Sequence, residues 1–118
     1  MFDPKRFAET WIADWNAHDL SAILSHYADD VEFHSPKAVA LVGDGTVRGI
    51  GALAAYWELG LARRPKLAFR LEATFVGHRS ITLLYSGEDG RRATETLLFD
   101  ANDKVVRATA CYDPPITV

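Results

Sequence analysis

One acid in the stretch Arg91–Asp100 stands where acids seldom stand. Read as a strand, this stretch alternates with a period of two. Ala93, Glu95, Leu97 and Phe99 fall on one face, and Thr94, Thr96 and Leu98 on the other. Glu95 therefore points with an otherwise apolar set. Burial disfavours a carboxylate anion, so such a group titrates above its ordinary range and becomes a candidate proton donor. The alternative is a strut: Glu95 pairs with a buried cation, for which Arg107 is the candidate.

A second acid–base candidate is His34, in the strand Val31–Ser35. Val31, Phe33 and Ser35 share one face of that strand, and Glu32 and His34 the other. If the first face lines a cavity, His34 looks outward, and this reading is preferred. If a bulge reverses the parity, His34 becomes a natural base, since imidazole titrates near neutrality. The four histidines show no metal-ligand spacing such as two on one helix face. No metal or cofactor is expected. Cys111 is the single cysteine, which rules out an internal disulfide, and its apolar strand context predicts a buried structural thiol.

The walls of such a cavity can be read in the same way. Trp11, Trp15, Trp57 and Phe69 are large aromatic residues on the apolar faces of their elements. Tyr27 continues an apolar stripe, and Tyr112 ends the face Val106, Ala108, Ala110. Small residues on that face leave room for a ligand, which among these rings should be apolar and planar or ring-shaped. The plainer alternative is that the aromatic residues simply fill the core.

The elements that must position these residues follow from period and punctuation. Asp3-Pro4 is a capped helix start, and Phe7, Trp11 and Trp15 recur at helical spacing. Asn16-Ala17-His18 reads as a turn, and Asp19 caps a second helix carrying Leu20, Ile23, Leu24 and Tyr27. The strand Val31–Ser35 follows and is ended by Pro36. A loop runs to Arg48-Gly49, and Ile50, Leu53, Trp57 and Leu61 make a third helix, closed by Arg63-Arg64-Pro65. The period then changes to two, with Leu67, Phe69, Leu71, Ala73 and Phe75 on the buried side of a strand. Turns at Gly77-His78, Glu88-Asp89-Gly90 and Ala101–Lys104 separate the strands Ser80–Ser86, Arg91–Asp100 and Val105–Tyr112, and Pro114-Pro115 stops the last. Helices first and hairpin-linked strands after them make an α+β domain over residues 1–118, with three N-terminal helices on a curved, mostly antiparallel sheet.

With 118 residues, about half of them apolar, the chain can bury a core without staples. Its formal charge is −3, and Arg63-Arg64 and Arg91-Arg92 are isolated pairs beside turns. Neither a basic stripe nor a membrane-length apolar run is present, so no nucleic-acid or membrane partner is expected. The opening Met-Phe-Asp-Pro lacks a signal layout, which predicts a soluble, cytoplasmic protein.

The order of elements, with Trp-Asn-Ala-His-Asp-Leu, Tyr-Ala-Asp-Asp-Val-Glu-Phe and Leu-Phe-Asp-x-x-x-Lys-Val-Val, resembles the SnoaL-like branch of the nuclear transport factor 2-like superfamily. That group includes ketosteroid isomerases and polyketide cyclases. The resemblance implies a cone-shaped α+β barrel around an apolar pocket, often dimeric through its sheet. Matched by motif, the isomerases' base falls on Ser35, their oxyanion-hole Tyr on Trp11 and their protonated acid on Glu95. Serine has no useful basicity, and an indole donates one hydrogen bond without exchanging a proton. The resemblance thus argues against steroid isomerisation by that mechanism and leaves Glu95 as the acid that keeps its chemistry.

Three functions compete: an isomerase- or cyclase-like acid–base catalyst, a binder of an apolar small molecule, and a dimeric module with a filled cone. The first is favoured. A homodimer through the sheet is expected because Val76, Thr82, Leu84, Thr96 and Leu98 would otherwise leave an apolar patch in water.

Overall fold

The computed structural model describes residues 2–116; Met1, Thr117 and Val118, at the ends of the expected domain, lie outside them. Helix α1 (Pro4–Asn16) begins where Asp3 accepts the Arg6 N–H at 3.1 Å, with Pro4 in the first turn. Its buried face is Ala8, Trp11, Ile12 and Trp15. Helix α2 (Leu20–Leu24) is a short helix capped by Asp19. Strand β1 (Tyr27–His34) follows, then helix α3 (Pro36–Val42), strand β2 (Thr46–Arg48) and helix α4 (Ile50–Arg63). Strands β3 (Arg70–Gly77), β4 (Ser80–Ser86), β5 (Arg92–Phe99) and β6 (Val105–Tyr112) complete the chain. No helix among the described residues is long and apolar enough to cross a membrane.

The six strands form one sheet in the order β2-β1-β6-β5-β4-β3. All neighbours are antiparallel except β1 and β6, which run parallel. The sheet is open, with β2 and β3 at its edges, and with the helices on one face it makes the expected α+β cone. Four helices pack on it rather than three. The additional one, α3, starts where Ser35 accepts the Lys37 N–H at 3.2 Å and Pro36 takes the first turn. It ends at Gly43, whose φ of 80° is the left-handed conformation that closes a helix. Pro36 therefore stops a strand and starts a helix at once.

Other boundaries shift for reasons of tertiary pairing. Tyr27 opens β1 instead of closing α2, because it pairs with Val105 while the Val105 N–H donates to the His26 carbonyl at 2.8 Å. Leu67–Phe69 does not join the sheet. It is held in extended form by the turn after α1: Asn16 exchanges two hydrogen bonds with the Phe69 backbone, and His18 Nε2 lies 2.8 Å from the Leu67 carbonyl oxygen. A bulge between Leu71 and Ala73 then breaks the expected alternation, and Phe75 ends 59% exposed on the edge strand. Another irregularity, between Leu98 and Phe99, buries Val105 and leaves Val106 half-buried. Cys111 is exposed, on the face of β6 that also carries exposed Arg107, which corrects the expectation of a buried thiol.

Candidate functional site

Between the helices and the inner face of the sheet lies a cavity of about 300 Å³. That is the lower end of the roughly 300–1,000 Å³ usual for small-molecule sites. Glu95 is on its wall, placed there by a regular ladder: it pairs with Leu83 of β4 on one side and with Ala110 of β6 on the other. Ala93, Leu97 and Phe99 are buried beside it on β5, as the alternation predicted.

Glu95 is only 5% exposed. Tyr85 donates a hydrogen bond to its Oε1 at 3.3 Å, while among the described residues Oε2 has no partner. Arg107, the cation considered for a strut, instead faces Glu32 on the other side of the sheet at 3.7 Å. With no cation paired to it among the described residues, desolvation prevails over the Tyr85 bond and pushes the Glu95 carboxyl up to about 8. At neutral pH it is mostly a neutral acid, able to give a proton as well as accept a hydrogen bond.

The tyrosines around it also hold their protons. Burial, then the Glu95 charge, raises Tyr27, Tyr85 and Tyr112 above the ordinary phenol range. Tyr56 is raised by burial too, against the opposing pull of a Ser35 hydrogen bond. All of these can donate hydrogen bonds, and none is a ready base. A second buried polar atom without a partner is Trp15 Nε1, on another cavity residue. Glu95 and Trp15 thus leave the apolar chamber two unmatched polar atoms.

Five of the six expected wall residues, Trp11, Trp15, Trp57, Phe69 and Tyr112, line the cavity. Trp11 stacks on Phe69 with planes 16° apart, and Trp57 meets Trp15 edge-on. Tyr27 is not part of the wall. It lies behind it, its hydroxyl accepting the Trp11 indole N–H at 2.9 Å, which fixes the Trp11 ring. Ser35 is buried with Val31 and Phe33, but its hydroxyl caps α3 and it does not line the chamber. His34 is no cavity base. The irregularity in β1 lies before Glu32, so regular pairing from Glu32 to His34 turns His34 away, toward Glu32 and Thr46.

Among the wall residues that were not foreseen are Lys37 on α3, Tyr56 on α4 and Tyr85 on β4, with Arg63 and Arg64 at the end of α4. Tyr85 had a legible signal, since Ile81, Leu83 and Tyr85 alternate to the inner face. Tyr56 sits three residues after Leu53, in helical register with it. Lys37 had none, because only the unforeseen helix brings it there. Among the described residues, no cluster of three His, Cys, Asp or Glu side chains is arranged to hold a metal ion.

A curved, mostly antiparallel sheet with helices across one face and an apolar chamber between them is the nuclear transport factor 2-like architecture. An NTF2-like protein from Cytophaga hutchinsonii superposes with a TM-score of 0.73 at 14% identity, covering 97% of this chain and 93% of that one. A SnoaL-like domain profile matches residues 8–112, and the chain belongs to the SnoaL-like family. A SnoaL-like protein of unknown function from Burkholderia thailandensis is 43% identical, with a TM-score of 0.89 over 94% of this chain and 95% of that one. The same fold, at 15% identity and a TM-score of 0.76 over 94% and 92% of the chains, occurs in TerC co-crystallized with polyporic acid. It also occurs in SalBIII, an epoxide hydrolase/cyclase-like enzyme of pyran ring formation, at 13% identity and a TM-score of 0.73 over 93% and 90%. No curated protein matches the chain.

Proposed function

We propose that this protein takes an apolar, planar or ring-shaped small molecule into the aromatic chamber and acts on it as an acid–base catalyst of the isomerase or cyclase kind. Glu95 is the proton donor. The observation that carries this reading is the Glu95 carboxyl itself: buried in an apolar wall, without a cation, and with Oε2 unmatched. A protein pays for such a group in stability, and a binding partner for it is the simplest compensation. The proton would pass from Glu95 to an oxygen of the ligand as charge develops there, with Tyr85 stabilising the carboxylate left behind. The reaction would return the proton from the ligand's own C–H or O–H, so that no net proton is consumed. That an epoxide hydrolase/cyclase-like enzyme shares this fold is in keeping with the reading.

The test is Glu95→Gln against the wild type, using a panel of one- and two-ring ketones, phenols and epoxides followed by mass spectrometry and NMR. The variant keeps the shape and can still donate a hydrogen bond, so ligands should still bind while turnover falls by roughly 10²–10⁴-fold. Turnover that survives in Glu95→Gln would remove Glu95 from the chemistry. A ligand that binds without turnover in either form would leave the chamber a binding site only.

The same reading assigns a second copy of the chain to the outer face of the sheet. Phe75, on the edge strand, and Leu98 are 59% and 40% exposed there, a surface that association would cover. Light scattering should give twice the chain mass at micromolar concentration; a monomer mass would reject the assignment.

A further inference from the structure

Beside the chamber is a smaller recess of about 50 Å³, and the two share Lys37, Arg64 and Tyr112 among their walls. The recess is cationic. Lys37, Arg64, Arg91 and Arg92 line it, against the single acid Asp89. Most of these charges are already engaged. Arg64 pairs with Glu88 at 2.7 Å, Arg92 pairs with Asp113 at 3.1 Å, and Arg91 donates to the carbonyls of Asp113 and Pro115. Asp89 accepts the Arg91 backbone N–H at 3.0 Å.

Lys37 is different. Among the described residues it has no carboxylate partner, and its Nζ lies 4.0 Å above the centre of the Tyr112 ring. That contact offsets only part of what burial costs a lysine. Burial, then Arg64 and Arg91, pulls its amine below the usual lysine range, with Asp89 and Glu88 opposing. An ammonium half-removed from water and held among other cations is a site built for an anion. The chamber next to it raises little charge against one, because Glu95, the one carboxyl lining it among the described residues, is mostly neutral near pH 7.

We propose that the ligand is a carboxylic acid: its ring lies among Trp11, Trp15 and Trp57, and its carboxylate lies in the recess on Lys37. This rests on the chamber being the ligand site, as proposed above, and adds the charge of the ligand and the residue that selects it. Lys37 is a specificity determinant that lines the same chamber as the acid that does the chemistry. The same anion would hold a substrate in one orientation, carboxylate outward and reacting atoms toward Glu95.

The test compares 2-naphthoate with its neutral counterpart 2-naphthamide, by titration calorimetry and by the indole NMR signals of the full chain at neutral pH. Wild type should bind the carboxylate about tenfold or more tightly. Lys37→Met should bring the two within about threefold by weakening only the carboxylate, while Lys37→Arg keeps the preference. Circular dichroism of both variants checks that α3 remains in place. Equal binding of the two compounds to wild type, or an undiminished preference in Lys37→Met, would overturn the inference and leave the chamber intact as a binding site. If neither compound moves the Trp11, Trp15 or Trp57 indole signals, the chamber reading fails and this inference falls with it.

Discussion

Glu95 and Glu32 stand two strands apart in the same sheet, on opposite faces, and their surroundings are opposites. Glu32, on the outer face of β1, lies 3.5 Å from His34, 3.5 Å from Arg48 and 3.7 Å from Arg107. Its side chain is 28% exposed, so these pairs are made within reach of water. Glu95, buried on the inner face of β5, has one tyrosine hydroxyl and, among the described residues, no partner for its second oxygen. The side chain is the same; its surroundings and its usefulness are set by which face the alternation chose. An acid surrounded by cations is a structural pair, whereas an acid denied them keeps its proton at neutral pH and can deliver it.

The largest effect that separates the two acids is a dependence of stability on pH. An unfolded chain releases the Glu95 proton near 4.5, and the folded one holds it to about 8. Between those values the native state binds more protons than the unfolded state, so stability falls as pH rises and levels off above about 8. The loss is on the order of 4–5 kcal/mol across that window. Glu95→Gln removes the group, and its melting temperature should match wild type near pH 4.5 and exceed it increasingly toward pH 8. Parallel curves for the two proteins would mean that Glu95 is already ionised or already paired. The corresponding change on the outer face should do far less. Glu32→Gln should shift stability by no more than about 1 kcal/mol at neutral pH, and 1 M salt should erase most of it, because its pairs are partly exposed. A loss of several kcal/mol, measured by urea unfolding, would show that the outer cluster is a strut.

The sequence separated these two acids for a simple reason: strand alternation is a local signal, and β5 is regular over its full length. Where the period was interrupted, reading failed. The bulges at Leu71/Ala73 and Leu98/Phe99 misplaced Phe75 and Val106, and nothing within a few residues announces a bulge. Cys111 was misjudged in another way. Its neighbours are apolar, but its face is that of Arg107, and the face decides burial. Helix α3 did carry signals, Ser35-Pro36 at its start and Gly43 at its end, hidden because Pro36 had already served as a strand stop. The cost of missing it fell on the site. Lys37 reaches the chamber only on α3, and the meeting of α3, α4 and β4 around Glu95 is a matter of long-range packing that no local pattern encodes. The aromatic walls were legible because large apolar residues on the inner faces of a cone must face its centre.

The central claim is that Glu95 carries its proton at neutral pH, and its side-chain carbonyl carbon reports this directly. Carbon-13 NMR of protein labelled at glutamate, titrated from pH 4 to 10 with Glu95→Gln supplying the assignment, follows that one carboxyl through its ionisation. The account predicts an inflection near 8, well apart from the other glutamates. An inflection near the ordinary value of 4.5, in the company of the rest, would contradict it.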